Sequence, residues 1–471
     1  MGRMLRLTGA VLTLVIALGL CSLAWAGGLV HYGKGWRFDK HGWVYVHIEG
    51  KPYERGVQYG YLVADELKEI LRVTEFAAYW NTGKHWKFFK DAAVRMYAKR
   101  IPPGIMAEIK GIAEGARKRG VKISWQDVLT WNLYYELTEY WWPHAKGSGA
   151  GTHRGRCSAF IATGKATVDG GIVMAHNSWC DYTLAQFFNE ILDIVPEKGH
   201  RMFMQSAPGY IFSMTDFFVT DAGIVGTETT IGGFKEYDPK GLPEFVRVRM
   251  AMQYADSLDE FVRIMLKGNN GGYANSWLLG NIHTGEIMRL ELGLKYWSVS
   301  RKKSGYFIGF NAPWDPRIRN LECTNTGFAD IRRHQGARQV RLTQLMRKYY
   351  GRIDAEIAKK ILADHYDVYL KKINPCSRTV DGHYELDPRQ FMSQIGRPIP
   401  FEPAGTVDGK VLTSAMARKM SFWARWGSSS GMAFNAERFL REHIQWEFLR
   451  GYLKDRPSQP WVLFQAGQPR P

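Results

Sequence analysis

The sequence predicts a mixed α+β chain, and three observations carry that expectation. Between residues 52 and 140 apolar side chains recur at helical spacing. After residue 157 they gather into short runs bounded by turn residues, as strands do. A glycine-rich basic stretch, 146–156, separates the two regimes. Composition agrees, since 471 residues of which 45% are hydrophobic supply a sizeable core and argue against a disordered or fibrous chain.

Residues 1–26 read as an export signal. Arg3 and Arg6 precede an apolar run, 7–20, and Ala24-Trp25-Ala26 offers small residues to a signal peptidase, so cleavage is expected after Ala26. The expected product is exported, either periplasmic or secreted. Leu20 is bulky for lipoprotein processing at Cys21. The alternative, an uncleaved anchor, would have to span roughly 30 Å of hydrocarbon, and the run is short for that.

Residues 27–156 read as a helical N-terminal chain. A strand over 43–48 and a turn at 49–52 lead into a helical stretch to about Thr74, followed by helices over 85–100 and 104–119. Ser124 is the expected N-cap of a further helix reaching about Tyr140. The loop 146–156 has no hydrophobic periodicity and is expected to be exposed and cuttable. From 157 to 471, strands are expected at 157–162, 171–176, 187–195, 223–230, 273–280 and 286–292. Helices return at 243–267, 334–350, 354–364 and 436–453.

Lysine and arginine outnumber acidic residues 63 to 45, and the excess is spread along the chain. An anionic lipid surface or an acidic substrate suits this balance, and so does plain solubility; no nucleic-acid footprint is indicated. Without the signal, four cysteines remain: Cys157, Cys180, Cys323 and Cys376. Their spacing fits neither a zinc site nor a disulfide framework, and Cys323 with Cys376 is the one bridge considered. The histidines lack close ligand spacing, so no metal and no cofactor are expected. Glycine pairs such as Gly232-Gly233 and Gly271-Gly272 read as turns rather than a phosphate-binding loop. The absence of any Asn-x-Ser/Thr acceptor fits a bacterial envelope.

Cys157 stands where the loop meets a strand. Taken alone, such a cysteine is more often an inert core residue. If the Arg156–Cys157 bond is cut, however, the new α-amino group, with an ordinary pKa near 8, can act as base for the thiol of the same residue. Cys157-Ser158-Ala159-Phe160, followed by Asp169-Gly-Gly-Ile-Val-Met-Ala-His176-Asn177-Ser-Trp179, resembles the nucleophile strand and following hairpin of the phospholipase B-like proteins. These belong to the N-terminal-nucleophile superfamily, near the acyl-coenzyme A:6-aminopenicillanate acyltransferases. In order along the chain, Gly56 to Tyr61, Gly223 to Thr230, Tyr273-Ala-Asn275-Ser-Trp277 and Gly405-Thr-Val-Asp408-Gly-Lys410-Val extend the resemblance.

The resemblance implies a four-layer αββα sandwich and a precursor that cleaves itself before Cys157. It also implies a smaller N-terminal chain that stays bound, and hydrolysis of an acyl ester or amide through a thioester. Asn275 is the expected oxyanion donor. His176 would steer protons or position the thiol, with Asn177, Trp179, Glu228, Thr230 and Arg333 lining the substrate site. Arg333 is chosen from a group that also holds Arg332 and Arg338. Bile-salt hydrolases and acid ceramidase carry an arginine and an aspartate where this chain has His176-Asn177, so their details do not transfer. The expected partners are an acylated small molecule or phospholipid, the chain's own cleaved N-terminal part, and an anionic membrane surface. Two alternatives stand beside this reading: an N-acyl amide hydrolase or acyltransferase, and a non-catalytic exported protein that binds lipid or another ligand.

Overall fold

The computed structural model describes residues 28–147, 157–213, 217–324, 326–389 and 399–468. The expected signal segment and most of the 146–156 loop, Arg156 included, lie outside the described residues.

Three strands come first, β1 (Val30–Tyr32), β2 (Gly35–Lys40) and β3 (Trp43–Gly50). Helices α1 (Pro52–Leu62), α2 (Ala64–Thr82), α3 (Trp86–Tyr97), α4 (Pro103–Lys118) and α5 (Trp125–Asn132) follow, then a π-helical turn at Glu136–Trp141 and α6 (Trp142–Ala145). Strands β4 (Cys157–Thr163) and β5 (Val173–Asp181) make a hairpin. Beyond it lie α7 (Tyr182–Ala185), β6 (Glu190–Pro196), β7 (Met202–Ser206), β8 (Phe217–Thr220) and β9 (Ile224–Thr230). Next are α8 (Glu244–Tyr254), α9 (Leu258–Leu266), β10 (Asn275–Asn281), β11 (Glu286–Leu292), β12 (Trp297–Lys302) and β13 (Gly305–Gly309). The last third holds α10 (His334–Lys348), α11 (Ala355–Leu362), the short pair β14 (Tyr366–Asp367) and β15 (Lys372–Ile373), and β16 (Ala404–Thr413). It ends with α12 (Ser414–Ala417), β17 (Ser421–Trp426), α13 (Ala436–Glu442) and β18 (Trp461–Gln465).

The strands build a ten-stranded sheet, β1-β2-β3-β6-β7-β8-β9-β10-β11-β12, and a six-stranded sheet, β13-β4-β5-β16-β17-β18. They face each other: a side chain at Gly280 of β10 would strike Ile161 and Ile172, and one at Gly309 of β13 would strike Thr229 of β9. Strand alternation then sets which residues line that interface. Ala159, Ile161 and Met174 point into the core between the sheets, while Phe160, Ala162, Val173 and Ala175 point out to pack with Leu342, Leu345 and Ile361 of α10 and α11. On the far side, Phe218 of β8 and Trp277 of β10 pack on Phe261 of α9. Helix, sheet, sheet and helix are therefore stacked in the expected αββα order, in an α+β chain.

Residues 28–147 are built into this body. β3 pairs in parallel with β6 from Val44↔Glu190 to Gly50↔Pro196, so the ten-stranded sheet takes strands from both before and after residues 148–156. Helices α1 and α4 cross with backbones touching; a Cβ on Gly60 would sit 1.9 Å from the Ile112 carbonyl oxygen, and only glycine leaves that room. Ser124 caps α5 in a reciprocal capping box with Asp127.

Two expectations are corrected. The helix expected over 243–267 is two helices, because Ser257 caps α9 by accepting from the Glu260 N–H and so restarts the chain. Cys323 and Cys376 are free thiols, as are Cys157 and Cys180. Cys323 sits beside Phe234 in an isolated bridge, whereas Cys376 donates to Asp367, so the two belong to different neighbourhoods. Among the described residues, no helix is long and apolar enough to cross a membrane.

Candidate active site

Cys157 is the first residue of β4 and is buried. In the β4–β5 hairpin it lies opposite Ser178, with Ser158 opposite Asn177 and Ala159 opposite His176. The Cys157 side chain shares the inward direction of Ala159 and Ile161. Burial pushes its thiol well above the ordinary range and the Glu228 carboxylate pushes it further, opposed by the Trp179 backbone N–H and by Lys410. In the uncut chain the sulfur is therefore held as the thiol.

The main chain of Cys157 is gripped at both ends. Its N–H donates to Asn311 Oδ1 at 3.0 Å, and its carbonyl accepts from Arg338 Nη1. Arg338 also donates to Ser158 Oγ at 3.2 Å, Phe310 O at 3.3 Å, Asn311 Oδ1 at 2.8 Å and His334 O at 3.0 Å. Its guanidinium lies 4.1 Å from the Trp179 ring centre. Burial lowers the Arg338 pKa to about 10, which still leaves it charged at neutral pH. His334, held well below the usual histidine range by burial and then by Arg338 and Arg333, is neutral there and offers Nδ1 to Arg338 at 2.8 Å.

Of the three candidate arginines, Arg338 is the one that contacts Cys157. Arg333 caps the start of α10 and lies against Gly327, where an added Cβ would meet its Nε at 2.8 Å. One helical turn further on, position 338 projects toward β4. Asn311 escaped the sequence reading altogether. It follows β13 with a left-handed φ of 65°, unusual outside glycine, and its Nδ2 donates to the Thr230 carbonyl at 2.7 Å.

That bond carries the network into the ten-stranded sheet. Thr230 ends β9 opposite Asn275, the first residue of β10, and Glu228 lies opposite Trp277. Alternation places Glu228, Thr230, Asn275 and Trp277 on one face. Asn275 is fully buried, and among the described residues neither its amide nitrogen nor its oxygen has a hydrogen-bond partner. A buried amide in that condition is costly unless something else completes it.

The other expected residues divide between the two faces of β5. His176 shares the inward face but lies two residues along the hairpin, roughly 7 Å by strand rise. Burial, then Lys410, pushes its pKa well below the usual range, so it is neutral. Asn177 points the opposite way: its Nδ2 donates to the Leu362 and Val380 carbonyls at 2.9 and 3.0 Å, and its Oδ1 accepts from Ser429. It fastens β5 to the helical layer and turns away from the thiol. Trp179, on that same outward face, supports Arg338. Beside the thiol the sequence reading missed a buried polar cluster: Lys410 Nζ, 2.7 Å from Asp408 Oδ1, donates to Ser178 Oγ at 2.6 Å and to Gln205.

A pocket flanks this centre, lined by Tyr135, Glu136, Tyr210, Phe212, Glu244 and Tyr273, with Asn132 and Phe245. Tyr135 Oη meets Cys180 Sγ at 3.0 Å on β5, and Tyr273 stands two residues before Asn275. Burial raises the pKa values of both Glu136 and Glu244, favouring their neutral forms beside the aromatic walls.

Residues 104–288 match the family model described as Phospholipase B. The chain is 26% identical to an uncharacterized protein of Archaeoglobus fulgidus, over 57% of this chain and 47% of that one. To a Phospholipase B of Crotalus adamanteus it is 28% identical, over 57% of this chain and 51% of the other. It therefore spans about half the length of these relatives. Among solved structures, Penicillin V acylase from Agrobacterium tumefaciens aligns with a TM-score of 0.34 at 14% identity, covering 57% of this chain and 83% of that one.

Proposed function

We propose, from this resemblance to phospholipase B proteins, that the chain is an exported, self-processing hydrolase of acyl esters or amides with Cys157 as its nucleophile. The observation that carries the reading is the double grip on Cys157, whose N–H rests on Asn311 and whose carbonyl rests on Arg338. A residue destined to become a chain terminus and a nucleophile has to be held independently of the segment that precedes it.

Cleavage of the Arg156–Cys157 bond adds water across it and frees an α-amine against Asn311. That amine takes the thiol proton as sulfur adds to the acyl carbonyl. The resemblance assigns the resulting oxyanion to Asn275 Nδ2, which shares the α9-facing side of β10 with Trp277 and reaches the thiol only by turning round the start of the strand. Collapse expels the alcohol or amine with a proton and leaves a thioester, which water then hydrolyses to release the acid and restore the thiol. Export rests on the signal read in residues 1–26.

The test compares wild type with Cys157→Ala by denaturing electrophoresis, intact mass and N-terminal sequencing, followed by acyl ester and acyl amide screens. Two wild-type fragments are expected, the larger starting at Cys157, with turnover that the variant lacks. A wild-type chain that stays whole and inert through every maturation condition, acidic pH included, would leave a ligand-binding protein as the better reading.

A further inference from the structure

Behind the active-site layer, the segment between α11 and β16 folds back on itself and brings His365 against Asp381 and His383, 16 and 18 residues further along the chain. Asp381 N–H donates to the Asp364 carbonyl at 3.2 Å, His383 N–H to the Cys376 carbonyl at 3.0 Å, and Gly382 N–H to Thr406 Oγ1 at 2.8 Å. In consequence His365, Asp381 and His383 converge, with one ligand atom from each lying within 4.8 Å of the others.

We propose that His365, Asp381 and His383 form a structural zinc site. The spacing fits: zinc bonds of about 2.0–2.1 Å in a tetrahedron place ligand atoms roughly 3.3 Å apart. Here His365 Nε2 is 3.2 Å and His383 Nε2 is 3.6 Å from Asp381 Oδ2. Nitrogen, nitrogen and carboxylate oxygen are a donor set that zinc accepts.

Two further observations point to a bound cation. His383 Nδ1 lies 2.9 Å from Glu385 Oε1, which fixes Nε2 as the inward-facing atom; a carboxylate behind a ligating histidine is the usual support of zinc sites. Asp381 is fully buried, and among the described residues its Oδ1 has no hydrogen-bond partner, while Oδ2 accepts from Ser428 Oγ and the Ser430 N–H. Ser428 Oγ, 3.5 Å from His383 Nε2, is placed to fill or hydrogen-bond the fourth position.

The site would staple this excursion to the sheet. A Cβ on Gly382 would meet the Trp179 ring at 2.5 Å, and Trp179 carries Arg338. The ligands nevertheless lie outside the acyl chemistry, and the inference stands whether or not Cys157 is a nucleophile.

The experiment measures zinc by elemental mass spectrometry in purified wild type, His365→Gln and a surface control, His200→Gln, without chelator. Zinc is then added back to stripped protein while thermal stability is followed. His365 is the most accessible of the three ligands, so its replacement leaves the chain best able to fold. About one zinc per wild-type chain is expected, with zinc raising the melting temperature of wild type and the control and at least tenfold weaker binding in His365→Gln. No retained zinc and no zinc-dependent shift in wild type would overturn the site. So would zinc binding unchanged by His365→Gln, or abolished by His200→Gln.

Discussion

At the residue scale the centre is organised by one arginine. Arg338 makes its contacts with carbonyls, an amide oxygen, a hydroxyl and an indole face, a pattern that uses the planar fork of the guanidinium as much as its charge. Lysine in its place would keep the charge and lose most of these directions at once. Arg338→Lys is expected to slow the appearance of the fragment beginning at Cys157 and to lower kcat by about 10- to 100-fold, with KM little changed, since the side chain positions the nucleophile and does not bind the acyl group. Time-resolved denaturing gels and steady-state kinetics on matured protein check both parts. A variant that matures and turns over at the wild-type rate would remove Arg338 from the machinery.

At the element scale, the crossing of α1 and α4 and the seam between α1 and β6 can each be tested alone. Gly60→Ala places a methyl against the Ile112 backbone, which has no flexible atom to yield. The expected loss is about 2 kcal/mol or more despite alanine's better helix propensity, against little change for Gly104→Ala near the start of α4, where the nearest atom is 3.6 Å away. Thermal melts distinguish them. Between α1 and β6, Tyr59 donates to the buried Glu190 carboxyl, whose pKa burial pushes up to about 8. The folded chain thus keeps a proton that the unfolded chain releases near 4.5, so this stabilisation is complete below about 4.5 and lost as pH rises through about 8. Glu190→Gln is expected to raise the melting temperature by a few degrees at pH 8 and hardly at all at pH 5. Equal shifts at both values would refute the assignment.

These elements also show why some of the fold was legible. Strand β3 reads as a run of aromatic and β-branched residues from Trp43 to Ile48 closed by a turn, and Ser124 and Asp127 spell out a helix start three residues apart. By contrast β16 is buried along nearly its whole length, so Gly405, Asp408 and Lys410 interrupt any apolar pattern, and β7 and β8 are short runs with no polar side to show. The same limit applied at the site. Cys157 announced itself through the composition break before it, whereas Asn311, Lys410 and the meeting of His365 with Asp381 and His383 depend on contacts between distant segments that no local spacing encodes.

At the scale of the whole molecule, the question is what would happen to residues 28–147 if the chain is cut as proposed. They supply three strands of the ten-stranded sheet and join it through the β3–β6 pairing. Tyr45 Oη and His47 Nδ1 both meet Asp193 of β6, at 3.1 and 2.7 Å. Deeper in, Glu108 of α4 is fully buried between Arg55 of α1 and Arg249 of α8, at 2.7 and 2.9 Å. Departure of the N-terminal part would strip Arg249 of its carboxylate partner, and uncovering one member of a buried pair costs about 3–5 kcal/mol before any apolar surface is counted. It would also expose the backbone edge of β6, an invitation to aggregation. The two fragments are therefore expected to co-elute as one particle in native size-exclusion chromatography and to part only in denaturant, the isolated larger fragment then aggregating on dilution. Separation of the fragments under native conditions, with the larger one soluble and folded, would mean that the sheet does not depend on its first three strands.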